Sequence, residues 1–183
     1  MTRHWGRLLA AVALTWATTG AAAPAAPAPD GANGFDFELG EWRVHHVVQP
    51  LDPKAPAQAF EGTASVRPLL GGLGNVEDNV FFRPAGVTRG VALRAYDPKT
   101  QLWAIWWVDG RDPHAALDPP MKGRFEGGVG TFYSDGPVNG RPARTRFIWS
   151  HITRTSAHWE QAYSLDAGKT WETNWIMEFQ RIS

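Results

Sequence analysis

Several charged and polar residues lie within otherwise apolar stretches of this chain, and their types and spacing are suited to binding a ligand or to catalysis. Arg94, Glu160 and Asn174 are the main ones. A carboxylate buried without a partner costs free energy, so Glu160 is expected to meet a ligand or to pair with Arg94 or Arg146. An arginine also suits a carboxylate or phenolate group on a ligand. The set indicates a polar anchor for a small molecule. It equally fits an ion-pair network or the solvent face of alternating strands.

Two tryptophans extend this predicted ligand site. Trp107 shares a strand face with Asp109, just before the long connection 110–120. Trp149 lies near the end of a later strand, where the mouth of a barrel is expected. Aromatic walls with a few polar groups are typical of small-molecule pockets. The predicted ligand-binding residues are therefore Arg94, Trp107, Trp149, Glu160 and Asn174.

The connection 110–120 is the longest between predicted strands, and a loop of that length is expected to cover one mouth of a barrel as a lid. It carries Arg111 and His114. His114 stands between Asp112 and Asp118, so it can be a base with an orienting carboxylate or simply a solvated side chain. No spacing of His, Asp and Glu meets a zinc pattern. We expect no metal and no other cofactor.

The elements that must position these residues are strands. From Trp42 onward the hydrophobic period is two, and Gly, Pro, Asn and Asp interrupt it about every ten residues. No amphipathic helix is apparent. Short strands at even spacing predict an all-β fold, an antiparallel calycin- or lipocalin-like barrel of about ten strands in one domain, 35–183. The predicted strands span 42–49, 60–68, 75–82, 88–96, 101–109, 121–126, 130–133, 141–150, 157–165 and 171–181.

The two ends of that domain carry a further signal. Gly40-Glu41-Trp42 opens the first strand and Arg181 ends the last one. A Gly-x-Trp in this place resembles the signature of lipocalins and other calycins. The resemblance implies that Trp42 plugs the closed end of the barrel with a basic residue over its ring, which is a favourable cation–π pair.

Longer motifs carry a second resemblance, which covers essentially Phe35 to Arg181. The chain resembles an uncharacterised bacterial family of lipocalin-like proteins. This resemblance implies a calycin-type barrel and supplies no catalytic residues. The motifs are Arg67-Pro68-Leu69-Leu70-Gly71-Gly72-Leu73-Gly74-Asn75-Val76, Ala92-Leu93-Arg94-Ala95-Tyr96-Asp97-Pro98, Trp106-Trp107-Val108-Asp109-Gly110-Arg111, Trp159-Glu160-Gln161-Ala162 and Thr170-Trp171-Glu172-Thr173-Asn174-Trp175.

The first residues have the layout of a secretory signal. A basic start precedes an uncharged stretch that ends with the small residues Ala21 and Ala23, which predicts a signal peptide over 1–23. A retained anchor is the alternative, although the apolar stretch is shorter than the roughly 20 residues of a spanning helix. A Pro- and Ala-rich linker follows over 24–34. The protein is expected in the periplasm or outside the cell, without stable membrane insertion.

Charge excludes one class of partner. Removing Arg3 and Arg7 from 18 basic residues leaves 16 against 18 acidic ones, a net charge near −2. This gives no electrostatic footprint for nucleic acid. The oligomeric state stays open.

Three functions are compatible with the sequence. The first is an exported barrel that binds a small, partly apolar molecule. The alternative is a cofactor-independent isomerase, lyase or hydrolase that uses a pocket carboxylate or histidine. A haem-binding barrel is the third, and it requires an inward histidine late in the chain, where His151 and His158 are available.

Overall fold

A computed structural model describes residues 30–50 and 54–182 of this 183-residue chain. The predicted signal peptide, 1–23, and most of the predicted linker, 24–34, lie outside the described residues. No helix within the described ranges is long and apolar enough to cross a membrane.

Ten antiparallel strands follow one another as hairpins, and the first strand pairs with both the second and the tenth. The sheet is therefore a closed barrel, which confirms the all-β prediction. Closure leaves no unpaired sheet edge. The strands are β1 (Gly40–Val48), β2 (Gln58–Leu69), β3 (Gly74–Arg83), β4 (Gly86–Asp97), β5 (Leu102–Asp109), β6 (Met121–Glu126), β7 (Val129–Val138), β8 (Arg141–Ser150), β9 (Ser156–Ser164) and β10 (Glu172–Arg181).

Period-two alternation decides which residues face the interior. In β1, Trp42, Val44 and His46 are buried, and the residues between them are exposed. The adjacent histidines therefore point to opposite faces. His45 pairs with exposed Glu61 on the outside, while His46 lies inside.

The closed end of the barrel is built as the Gly-x-Trp pattern implies. The Arg181 guanidinium carbon lies 4.2 Å from the centre of the Trp42 ring. Its Nη1 donates to the carbonyl of Leu39 at 2.6 Å, and the Trp42 indole donates to the carbonyl of Glu38 at 2.5 Å. The last strand thus fixes both the plug and the turn that precedes β1.

That preceding segment packs into the closed end. Two short 3-10 turns, Gly31–Asn33 and Asp36–Glu38, lead into β1. The indole of Trp103 donates to the carbonyl of Gly31 at 2.8 Å, and a Cβ on Gly34 would lie 2.5 Å from Phe125. The packed part of the chain therefore begins ahead of Phe35, within the last residues of the predicted linker.

One strand is longer than the sequence pattern indicates. The seventh strand was expected over 130–133, but β7 continues to Val138 and pairs with β8 along its whole length. The turn that joins them is Asn139-Gly140, with φ angles of 50° and 75°. Positive φ at both positions produces a tight two-residue hairpin, so pairing extends to the turn despite Gly136 and Pro137.

Candidate functional site

A cavity of about 500 Å³ occupies the half of the barrel away from Trp42. Inward residues of the eight strands from β3 to β10 surround it. Asp118 and Pro119, from the loop between β5 and β6, also line it. Nine of its 24 lining residues are aromatic or sulfur-containing: Phe81, Trp107, Met121, Phe147, Trp149, Trp159, Tyr163, Trp175 and Met177.

A buried charge cluster forms the floor of this cavity. Arg94 of β4 is only 3% exposed. Its Nη1 lies 2.7 Å from Oε2 of Glu38 and donates to Oδ1 of Asn75 at 3.0 Å, while Nη2 donates to Glu77 and to Oε1 of Glu38 at 3.0 Å. Asn75 stands opposite Arg94 in the register of β3 and β4. One arginine is therefore shared by two buried carboxyl groups.

The protonation of this cluster follows from its burial. Glu38 is fully buried, and loss of hydration raises the pKa of its carboxyl group well above the ordinary value. Arg94 opposes that shift, whereas neighbouring Glu77 adds to it. Two carboxyl groups this close to one guanidinium cannot both ionise at low cost. Burial therefore favours the protonated form of Glu38, and whether or not Glu38 holds a proton, the cluster of one guanidinium and two carboxyl groups has no excess of positive charge while Glu77 is ionised.

Two buried donors at the floor lack an acceptor among the described residues. They are Nε of Arg94 and the indole nitrogen of Trp149. The guanidinium carbon of Arg94 lies 5.8 Å from the centre of the Trp149 ring, so the two donors are close together. A buried donor without an acceptor costs about 1–3 kcal/mol.

A polar strip runs up one wall of the cavity. Gln161 donates to the hydroxyl of Tyr163 at 2.7 Å and to the side-chain oxygen of Asn174 at 3.1 Å. The pairing of β9 with β10 shifts register between Thr173 and Trp175. Adjacent residues of a regular strand point to opposite faces. Because of this bulge, Asn174 and its neighbour Trp175 both line the cavity.

His46 lies inside the barrel but is not among the residues that line the cavity. Its ring stacks on Phe60 with centroids 4.8 Å apart, and its Nδ1 accepts a hydrogen bond from the Trp175 indole at 3.3 Å. Burial, reinforced by the positive charge of Arg83, lowers the pKa of His46 to about 3. The imidazole is therefore neutral and serves as a packing element.

Four of the five predicted ligand-binding residues meet at this cavity: Arg94, Trp107, Trp149 and Asn174. Glu160 does not. Trp159 and Gln161 on either side of it face inward, so Glu160 lies on the outer face, 3.6 Å from Arg146. The expected pairing of Glu160 with Arg94 was wrong, and its pairing with Arg146 is present.

The loop between β5 and β6 reaches the cavity through its last residues. Ser134 donates to the carbonyl of Pro119 at 3.1 Å, which anchors that end of the loop at the mouth. Arg111 instead pairs with Asp109, Nε lying 2.9 Å from Oδ1. His114 is exposed and does not line the cavity. A lid role for Arg111 and His114 stays a prediction.

Sequence reasoning missed the two carboxyl groups at the floor. Glu38 lies in a turn before the first strand, where no alternation pattern applies. Glu77 does carry a signal, because Asn75, Glu77 and Asn79 follow one another at period two. That polar stripe resembles a solvent face, yet all three residues are buried.

The haem-binding alternative finds no support among the described residues. The described residues contain no group of three His, Asp or Glu side chains that could hold a metal ion. His151 is exposed, and His158 pairs with Glu178 on the outer face at 2.7 Å. Neither histidine lines the cavity, so the inward histidine that a haem site requires is lacking late in the described chain.

Comparison with known proteins places the chain in a family. A profile described as protein of unknown function, DUF1579, matches residues 35–181. The chain belongs to this family. No curated protein matches the sequence.

One solved structure shows the same kind of fold. An S-type phycobiliprotein lyase from Guillardia theta is similar over 84% of this chain and 93% of its own, with a TM-score of 0.58 and 8% identity. A DUF3598-family protein of unknown function from Nostoc punctiforme matches 90% of this chain and 53% of its own, with a TM-score of 0.42 and 12% identity. At such low identity the first similarity bears on the fold alone. The family and the barrel together confirm the lipocalin-like expectation.

Proposed function

We propose that this protein is exported and that its barrel binds a small, partly apolar molecule. The observation that carries the proposal is the cavity of about 500 Å³ with its aromatic wall and buried polar floor. Sites for small molecules typically measure about 300–1,000 Å³ and combine apolar walls with a few fixed polar groups. The Trp42–Arg181 plug closes one end, so we propose that the ligand enters beside Asp118 and Pro119.

Filling the cavity with a larger side chain should weaken binding. Thr145 lines the cavity, whereas Thr131 lies on the outer face of β7 between the inward residues Gly130 and Phe132. Thr145→Trp should weaken binding of the neutral aromatic probe N-phenyl-1-naphthylamine at least tenfold in a fluorescence titration. Thr131→Trp is the matched control and should bind as wild type does. Equal affinities for all three proteins, or no binding by wild type, would reject the cavity as a ligand site.

Export has its own test. Cleavage after Ala23 should leave a mature chain that begins at Pro24, measurable as the intact mass of protein from the periplasmic fraction. Ala23→Arg should block cleavage, because signal peptidase requires a small residue there. An uncleaved wild-type chain in the cytoplasm would contradict export.

A second candidate is a cofactor-independent isomerase or lyase, and one observation favours it. The carboxyl group of Glu77 lines the cavity, where it is placed to take a proton from a bound substrate as a general base. Ligand retained by protein purified from its own source should then be a mixture of substrate and product by chromatography. Glu77→Gln should retain substrate alone. A single unchanged compound in both proteins would support a carrier instead.

A further inference from the structure

Two hydrogen-bond donors of the cavity floor have no acceptor among the described residues: Nε of Arg94 and the indole nitrogen of Trp149. The carboxyl and amide groups of the floor, from Glu38, Glu77 and Asn75, all contact the Arg94 guanidinium instead. A ligand group that accepts hydrogen bonds would therefore satisfy the two donors.

The charge of the floor restricts that group further. Arg94 lies against Glu38 and Glu77, so its positive charge is already matched. With Glu38 protonated the cluster is neutral, and with both carboxyl groups ionised it is negative. In neither state does an anionic ligand meet an unmatched cation, and it would also face the Glu77 carboxylate in a poorly hydrated site.

The walls select for shape. Trp107, Trp159 and Trp175 line the cavity together with Phe81 and Phe147. Trp159 and Trp175 meet edge to face at 86° with centroids 6.0 Å apart, so flat ring faces and ring edges bound the space. Aromatic rings pack best against other rings in stacked or edge-to-face contacts.

We infer that the ligand is an uncharged, planar, conjugated molecule whose carbonyl-type oxygen lies at the floor, within reach of the Trp149 indole and Arg94 Nε. This inference rests on the proposed binding function and names its ligand class. It replaces the expectation that Arg94 receives a carboxylate or phenolate, because that guanidinium is already held by two carboxyl groups.

Three compounds with the same ring system test whether the floor prefers an apolar group, a neutral carbonyl or an anion. Fluorene has no acceptor, 9-fluorenone adds a neutral carbonyl, and 9-fluorenone-4-carboxylate adds a negative charge. Their affinities for the full mature protein are measured by displacement of N-phenyl-1-naphthylamine. We expect 9-fluorenone to bind about tenfold more tightly than fluorene, and the carboxylate to bind at least tenfold more weakly than 9-fluorenone.

Trp149→Phe removes one donor and keeps an aromatic ring, so the ratio between 9-fluorenone and fluorene should fall to about half or less of the wild-type value. The matched control is Trp171→Phe, since Trp171 donates to the Gly168 carbonyl outside the cavity. Its ratio should equal that of wild type. If Trp149→Phe does not fold, the affinities of the wild-type protein for the three compounds still test the inference.

The outcomes are distinguishable. Failure of N-phenyl-1-naphthylamine to bind would overturn the proposed function and this inference with it. Probe binding without displacement by any of the three compounds, equal affinity for fluorene and 9-fluorenone, or tightest binding of the carboxylate would overturn only the inference. An unchanged ratio in Trp149→Phe would remove the indole from the proposed contact.

Discussion

Acid should destabilise this barrel through His46, a neutral histidine enclosed by aromatic rings. The ring stacks on Phe60 and contacts Phe81 and Trp175. Arg83 lies over these same rings, 4.4 Å from the centre of Phe60, and His45 is the other nearby basic group. A proton on His46 would therefore be poorly hydrated and repelled by Arg83.

The magnitude follows from the two pKa values. The pKa of His46 falls from 6.5 in the unfolded chain to about 3 in the folded protein. A depressed folded value means that the unfolded chain binds the proton first, so stability is full above pH 6.5 and is lost as the pH falls toward 3. Each pH unit in this window is worth about 1.4 kcal/mol. Between pH 6.5 and 4.5 His46 should cost about 2–3 kcal/mol.

The assay compares unfolding free energies from urea titrations at pH 7.5 and pH 4.5. His46→Gln removes the titration and keeps an acceptor for the Trp175 indole, while His45→Gln is the matched control one residue away on the outer face. Other groups also titrate in this range, so the quantity of interest is the difference between each variant and wild type.

His46→Gln should lose about 2–3 kcal/mol less than wild type between the two pH values. His45→Gln should follow wild type within about 0.5 kcal/mol. If the stability of His46→Gln declines in parallel with that of wild type, His46 is not a buried neutral base, and the stated cause of its depressed pKa is wrong.

Four further substitutions probe the plug of the barrel and the floor of the cavity. Trp42→Ala should cost about 3–5 kcal/mol of unfolding free energy, and Arg181→Ala should cost less. In a double-mutant cycle measured by urea unfolding the two effects should be non-additive, and additive effects would show that the two residues do not interact. Arg94→Met should cost about 3–5 kcal/mol at pH 7 because it leaves two buried carboxyl groups without a cation, and a loss under about 1 kcal/mol by the same assay would contradict that cluster. The raised pKa of Glu38 in the folded protein means that wild type loses stability as the pH rises above 4.5, because the unfolded chain ionises first. Glu38→Gln lacks this group and should lose less stability over the same range. Identical pH profiles of the two proteins would show that Glu38 is ionised.

Sequence alone could predict those features of the barrel that depend on local chemistry. Strands alternate because their side chains point to opposite faces at period two, and the turns carry residues that tolerate positive φ, as at Asn139-Gly140. The plug was expected from the resemblance to the Gly-x-Trp signature of calycins. In the closed barrel the first and last strands lie side by side, which brings Trp42 and Arg181 together.

The ligand cavity was predictable only in part. Trp107, Trp149, Arg94 and Asn174 were selected from the sequence and line the cavity. Glu160 was selected by the same reasoning and lies outside. A shift of one residue exchanges the two faces of a strand, and a polar residue between apolar neighbours is compatible with either one.

Only the tertiary structure determines which face of β3 points into the barrel. Judged by sequence, Val76, Val80 and Phe82 are the apolar face of this strand, yet Phe82 is 49% exposed, while Asn75 and Glu77 are buried. The reason is a partner far away in the sequence. Arg94 lies on the next strand and needs acceptors within the barrel, and Asn75 and Glu77 provide them together with a carboxyl group from the turn before β1. Local patterns fix the strands and their turns, but the face that turns inward depends on charges that meet only when the barrel closes.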